Sequence, residues 1–450
     1  MEDGVSVLMR RPATLAEAFS PRANSIGFLR LALATALLIA HSWPVGFGQH
    51  NLGYGHTGGQ TDVGTLALYG FFVVSGFLIT ASGLRFRLHR FAWHRFLRIF
   101  PGLWVCLLVT ALVIAPLVAE YEHGSLAGFW QNNESPLHYL EANWWTNQRQ
   151  FGISHLLENT PHGRSTGASV FNGALWSLVY ELCCYLLIGV LAVTAILKRA
   201  KGVVLTLTVA LYLVIFADFL TEPGDFLSKH PLSRGVIGPL PLLGNLNVDF
   251  LLYLGMVFLL GACAQLFKDR LLIHPLLAGV AAVVFFGSLI FGGFFVFGIP
   301  AYAYLLLFVA CYLPPRFQGI GRTRDYSYGI YIYAFPVQQV VALLHGNRWG
   351  VGPYIVLSLL GTLVFAIPSW HLVERPAMAL KNWTPSRLRR RPPWQTGPAM
   401  SDVTGSGVPA PADVAPADVT SRDGVASSGA DAAAAPAPQV PPRHSVRSAP

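Results

Sequence analysis

Apolar residues run almost unbroken through ten stretches of the chain, near 26–45, 63–84, 100–119, 173–197, 202–220, 249–267, 275–291, 296–313, 327–345 and 354–373. Each approaches the roughly 17–25 residues that a helix needs to cross a bilayer. In lipid the backbone must satisfy its own hydrogen bonds, which favours helices. The pattern predicts an all-α, polytopic transmembrane bundle of about ten spans. Residues 1–25 read as a cytoplasmic lead, residues 26–380 as the transmembrane domain and residues 120–172 as its one large outer loop. From residue 384 the chain turns to Ala, Pro, Ser, Asp and Gly. That composition cannot bury a core and predicts a disordered cytoplasmic tail over 384–450.

Polar residues interrupt the apolar stretches at few places. Ionisable groups at membrane depth are costly, so each one needs a reason. The first stretch holds Arg30 and His41. Eleven helical steps of about 100° end about 20° past three full turns, so the two share a face, about 16 Å apart along the axis. They mark one polar line, Arg30 near the cytoplasmic end and His41 near the outer end. The plainer reading is that Arg30 snorkels to the headgroups and His41 ends the helix. In "GFFVVSGFLIT", Gly70 to Thr80, the small pair Ser75-Gly76 permits close helix packing. "ALWSLVYELCCYLL" sets Ser177, Glu181 and Tyr185 at i, i+4 and i+8 on one side, beside Trp176 and Tyr180. Glu181 is expected at a depth similar to His41, where a carboxylate orients the imidazole and favours its protonated form. A structural contact to Arg or Tyr is the plainer alternative. "SWHLVERP" sets His371 and Glu374 three apart on one face. Glu374 is the expected charge partner of the arginines in "RFRLHRFAWHRFLR", residues 85–98. That basic, aromatic stretch reads either as an interfacial amphipathic helix or as an anion site for a phosphate-bearing cofactor.

Composition agrees with the pattern. The 450 residues are 53% hydrophobic and 12% charged, against about 25% charged in soluble proteins. The net charge of +9 would suit nucleic acid, but its distribution does not. Segments expected inside hold 22 Lys and Arg up to Arg391, and outer loops hold 5. By the positive-inside rule both termini are cytoplasmic, and the expected partners are membrane lipids rather than nucleic acid. The five cysteines all fall within predicted spans and make no CxxC or zinc spacing. No HExxH, Walker lysine or GxGxxG occurs, so neither a metal nor a nucleotide fold is expected. Ser75 is not framed as G-x-S-x-G, which excludes a serine-hydrolase elbow. The outer loop carries Trp130, His138, Tyr139, Trp144, Trp145, His155 and His162. It suits a carbohydrate face, or a structural cap with interfacial tryptophans.

Arg30-x10-His41, "FFVVSGFLIT", Arg95-Phe-Leu-Arg98 followed by "IFPGLW", "LWSLVYE", "SYGIYIY" and "HLVERP" occur in this order over residues 24–380. Together they resemble the acyltransferase-3 family of integral membrane O-acyltransferases. Where the family often carries a second acid, this chain has Leu182. The resemblance implies transfer of an acyl group, often acetyl, from cytoplasmic acyl-CoA to a hydroxyl. The acceptor would be a sugar of an envelope glycan, a glycolipid or a glycosylated metabolite. It implies His41 as the catalytic residue, and Arg30, Arg95 and Arg98 as donor-binding residues. Ser75 and Glu374 are expected beside the donor, Glu181 beside His41, and Trp176, Tyr180 and Tyr331 against the acceptor. His41 would act as general base in direct transfer; a covalent acyl group on His41 or Ser75 is the mechanistic rival. No esterase domain of the SGNH type is expected after the last span. The expected location is the bacterial plasma membrane. The alternative from another class is a proton-coupled transporter or flippase of a glycoconjugate, with the buried His, Glu and Arg as its relay.

Overall fold

The computed structural model describes residues 12–223, 226–227 and 232–383. The chain divides into Met1–Thr384 and Pro385–Pro450. The predicted tail and its arginine cluster, Arg387 to Arg391, lie outside the described residues. All ten apolar stretches are helical. They are α1 Ile26–Phe47, α2 Val63–Arg85, α3 Leu88–His123, α4 Leu175–Val193, α5 Lys201–Thr221 and α6 Val248–Leu266. Then follow α7 Pro275–Phe291, α8 Phe294–Tyr312, α9 Ser327–Leu343 and α10 Val351–Ala379. Eight are long and apolar enough to cross a membrane. The other two, α7 and α9, have 17 residues each. The protein is a multi-pass membrane protein built as a helical bundle.

The helix ends follow local chemistry. Asp62 caps α2 by accepting from the Thr65 backbone N–H at 3.0 Å. Gly48 ends α1 in the left-handed region, φ 65°, and its N–H returns to the Pro44 carbonyl. Turns of π-helix interrupt α3 at Thr110–Ile114, open α8 at Phe294–Gly298 and interrupt α10 at Ser369–Glu374. A strand pair joins Val236–Leu240 to Gly244–Asn247, with Val236 opposite Asn247 and an irregularity between Ile237 and Leu240.

At the centre, α2 packs on α1 and α6, and α1 on α9. A Cβ on Gly76 would lie 1.9 Å from the Phe258 carbonyl oxygen, and one on Gly261 would lie 2.1 Å from that of Val73. Two glycines thus allow the α2 and α6 backbones to touch, the close packing that Ser75-Gly76 suggested. Gly76→Val is expected to destabilise the bundle by about 1–3 kcal/mol or more, because rigid backbone blocks the added side chain. The check is a lower unfolding temperature of the purified variant in detergent. An unchanged value would mean the crossing is looser than this.

Two sequence expectations need correction. Residues 85–98 do not form a separate helix lying in the membrane plane. From Leu88 they are the first turns of α3, which has 36 residues and so extends about 54 Å, well beyond a hydrocarbon core of about 30 Å. The segment expected as an outer loop is well packed, whichever side of the membrane it faces, and contributes fully buried core residues, among them Tyr139, Ile153, Leu156 and Phe171. It folds back against α3: the Trp104 indole donates to the Trp144 carbonyl at 2.7 Å, and the Trp145 and Phe100 rings meet at 4.6 Å. Finally, the π-turn in α10 breaks the shared face of His371 and Glu374. His371 hydrogen bonds with the Tyr326 hydroxyl at 3.2 Å, whereas Glu374 is 2% exposed and accepts from Ser369.

Candidate active site

Two chambers stack inside the bundle. The first, about 350 Å³, is lined by Arg30 from α1, Ser75 from α2, Arg95 and Arg98 from α3, and Ser177, Glu181 and Tyr185 from α4. Asp325, Tyr328 and Tyr331 close it from α9 and the turn before it, and Arg322 and Lys381 complete its charged wall. The second chamber, about 140 Å³, is lined by His41, Asn51, Thr65 and Trp176. Leu68, Ser177 and Tyr331 belong to both walls. There the Ser177 and Tyr331 hydroxyls meet at 2.6 Å, and Tyr331 donates to the Ala174 carbonyl at 2.5 Å.

The basic chamber holds five cationic side chains (Arg30, Arg95, Arg98, Arg322, Lys381) and two carboxylates (Glu181, Asp325). Its electrostatic hub is Asp325, which sequence reasoning missed. One oxygen, Oδ2, accepts from Arg30 at 2.5 Å and from Arg98 at 2.8 Å. The other, Oδ1, accepts from the Ser327 hydroxyl at 2.5 Å. Burial pushes the Asp325 carboxyl up, but Arg30 and Arg98 outweigh it and hold the group well below the usual carboxylate range. Glu374 was the expected partner of these arginines. It lies close enough for its charge to reach Arg98, yet the ion pair is made by Asp325. Arg95 lies 5.8 Å from the centre of the Tyr185 ring, and its Nε is buried without a partner.

Glu181 stands in the basic chamber, where its Oε1 accepts from Ser75 at 3.0 Å and from the Tyr185 hydroxyl. The spacing Ser177, Glu181, Tyr185 does line one wall. It does not bring Glu181 to His41. The carboxylate whose charge reaches His41 is Asp62, and His162 is the second titratable neighbour. The His41 and His162 rings both stand edge-on to Phe335, at 5.7 and 5.4 Å. Trp176 faces the histidine chamber, and Tyr331 lies between the two. Tyr180 lines neither; its hydroxyl accepts from the Asn247 backbone N–H at 3.0 Å and so ties α4 to the strand pair. Among the described residues no three His, Cys, Asp or Glu side chains gather as a metal site, and the five cysteines are unpaired.

One sequence signal pointed to Asp325: it is the sole acidic residue between Asp269 and Glu374. Asn51 and Thr65 carried none, since isolated polar residues at helix ends are common. The family model described as an acyltransferase domain matches residues 24–371, a stretch that includes both chambers' helical walls except Lys381 and Met378. The chain belongs to the acyltransferase-3 family. It is similar to the O-acetyl transferase of Shigella phage Sf6, 26% identical over 376 residues that cover 79% of this chain and 96% of the relative. It is also similar to Nodulation protein 10 of Rhizobium leguminosarum bv. viciae, 27% identical over 376 residues, 80% of this chain and 94% of the relative. No solved structure matches it. The protein is therefore a membrane acyltransferase, and the transporter alternative is set aside.

Proposed function

We propose that this acyltransferase moves an acetyl group from cytoplasmic acetyl-CoA to a hydroxyl of a sugar or glycoconjugate on the outer side, with His41 as general base. The observation that carries the reading is the stack of two chambers, one cationic and one holding a histidine, that meet at Leu68, Ser177 and Tyr331. Guanidinium groups suit the phosphates of CoA, so the basic chamber takes the donor's anionic end. The pantetheine arm runs along the Arg30–His41 face of α1 and presents the thioester at the shared wall. The acceptor enters the histidine chamber beside Trp176. Its oxygen attacks the thioester carbonyl carbon while His41 takes the hydroxyl proton. The new C–O bond forms, the C–S bond breaks, and the proton passes to the departing CoA sulfur. Asp62 supplies a compensating negative charge near His41 during proton uptake. The name of the phage relative, an O-acetyl transferase, supports acetyl as the group and oxygen as the acceptor atom. The bacterial plasma membrane is the site this reading assigns to the enzyme.

Orientation is part of the proposal and has its own test. Positive-inside asymmetry places the first turns of α3 in the cytoplasm and the short helix Pro136–Asn143 outside. His89 and Glu141 are both exposed in these segments. With native cysteines replaced, Glu141→Cys is expected to react with a membrane-impermeant thiol reagent in intact cells, and His89→Cys only after lysis. The reverse pattern would exchange the donor and acceptor sides. The catalytic reading is tested by acyl transfer and CoA binding measured on the same purified variants, as argued in the Discussion.

A further inference from the structure

The basic chamber is completed by residues beyond the family-matched stretch 24–371. After α10 the chain crosses the first turns of α3 as a strap. The Trp93 indole donates to the Leu380 carbonyl at 3.0 Å, and His94 Nε2 meets the Lys381 carbonyl at 3.2 Å. The Trp93 and Trp383 rings lie 6.3 Å apart. These contacts fix the strap's backbone, and Met378 and Lys381 line the chamber. The position is specific: the Lys381 backbone is held at His94, on the N-terminal side of Arg95 and Arg98 along α3, and Lys381 lines the basic chamber but not the wall shared with the histidine chamber, so we take this end as the chamber's mouth.

Charge at that mouth is uncompensated. Asp325 is already shared by Arg30 and Arg98. Glu181 is occupied by Ser75 and Tyr185. Lys381 and Arg95 make no ion pair among the described residues. Burial, and then the Arg95 and Arg98 guanidiniums, hold the Lys381 ammonium below the usual lysine range. An ammonium facing guanidiniums in a partly enclosed space is a place where a compact dianion relieves repulsion.

Resting on the donor assignment above, we propose that this strap forms the outer lip of the donor chamber and that Lys381 binds the phosphate monoester on the ribose of CoA. The order of groups along the donor supports this choice. With the thioester at the shared wall, the diphosphate lies among Arg30, Arg95 and Arg98, and the ribose phosphate comes next toward the mouth. A monoester dianion suits the three donors of an ammonium, whereas the bridging diphosphate suits the paired donors of Arg.

CoA and 3′-dephospho-CoA differ by that one phosphate. Calorimetric titration of the full-length protein in detergent is expected to show CoA binding about ten- to a hundredfold more tightly. Lys381→Gln should bring the ratio towards one by weakening CoA alone, and Lys381→Arg should retain much of it. Trp93→Phe, which removes the hydrogen bond to the strap, should lower the ratio as well. An equal loss for both ligands, or an unchanged ratio in Lys381→Gln, would overturn the assignment. A wild-type protein that binds neither ligand would instead overturn the donor reading itself. In nanodiscs the preference should survive replacement of neutral lipid by phosphatidylglycerol. Its disappearance there would give the lysine to a lipid headgroup and overturn the proposal.

Discussion

His41→Gln is expected to lower acetyl transfer by about 10²–10⁴-fold, the usual worth of a general base, while acetyl-CoA still binds. Glutamine keeps the approximate size and a hydrogen-bonding end, so the edge-on contact with Phe335 is not replaced by a cavity. It cannot accept a proton at neutral pH. Donor affinity should survive because Arg30 is about 16 Å away along α1 and lines the other chamber. Transfer is to be measured with labelled acetyl-CoA and the native acceptor, identified from a deletion strain by mass shift, and affinity on the same purified sample. Turnover near wild type in His41→Gln would sink the mechanism. Glu181→Gln reports on a different step. Its carboxylate holds Ser75 and Tyr185 in the basic chamber, so its loss is expected to disturb donor placement and to cost less than the loss of His41.

The contrast between these two residues shows what the sequence carried. The helical period alone put Arg30 and His41 on one face, and the chambers they line are stacked along that face. The same arithmetic put Ser177, Glu181 and Tyr185 on one wall of α4. It did not give the level of Glu181, which lines the basic chamber with Arg30 and not the chamber of His41. α4 begins at Leu175, close to the expected residue 173, so the difference lies in how α4 sits against α1. Residues 120–172 likewise pack on α3 through Trp144, Trp145 and the buried Tyr139. Both arrangements rest on packing between residues distant in sequence, which hydropathy does not report. The π-turn in α10 escaped for a related reason: an i, i+3 rule presumes 3.6 residues per turn, and a π-turn is wider.

Asp325 is the clearest case of a site residue that local patterns do not reveal, since it meets Arg30 across 295 positions of sequence. Asp325→Asn is expected to lower stability strongly, toward the roughly 3–5 kcal/mol seen when one member of a buried pair is removed. The side chains involved are mostly shielded, with relative exposure of 24% for Arg30 and 14% each for Arg98 and Asp325. Two guanidiniums would be left facing each other with no shared anion. The sign of the pH dependence follows from the direction of the shift. The folded-state carboxyl lies below its usual value, near 3.9 in model peptides, because two arginines outweigh the effect of burial. Its stabilisation is thus complete above that usual value and is lost only as pH falls below it, through the folded-state value. The unfolding temperatures of wild type and Asp325→Asn should therefore differ by a constant gap from pH 8 to about pH 5, and the gap should narrow only in stronger acid. Saturating CoA supplies phosphates to the same arginines, so it should raise the unfolding temperature of the variant more than that of the wild type. Turnover should fall even at saturating CoA, because Arg30 and Arg98 would no longer be held in one arrangement. A variant that unfolds and turns over like wild type would remove Asp325 from its place at the centre of the donor chamber.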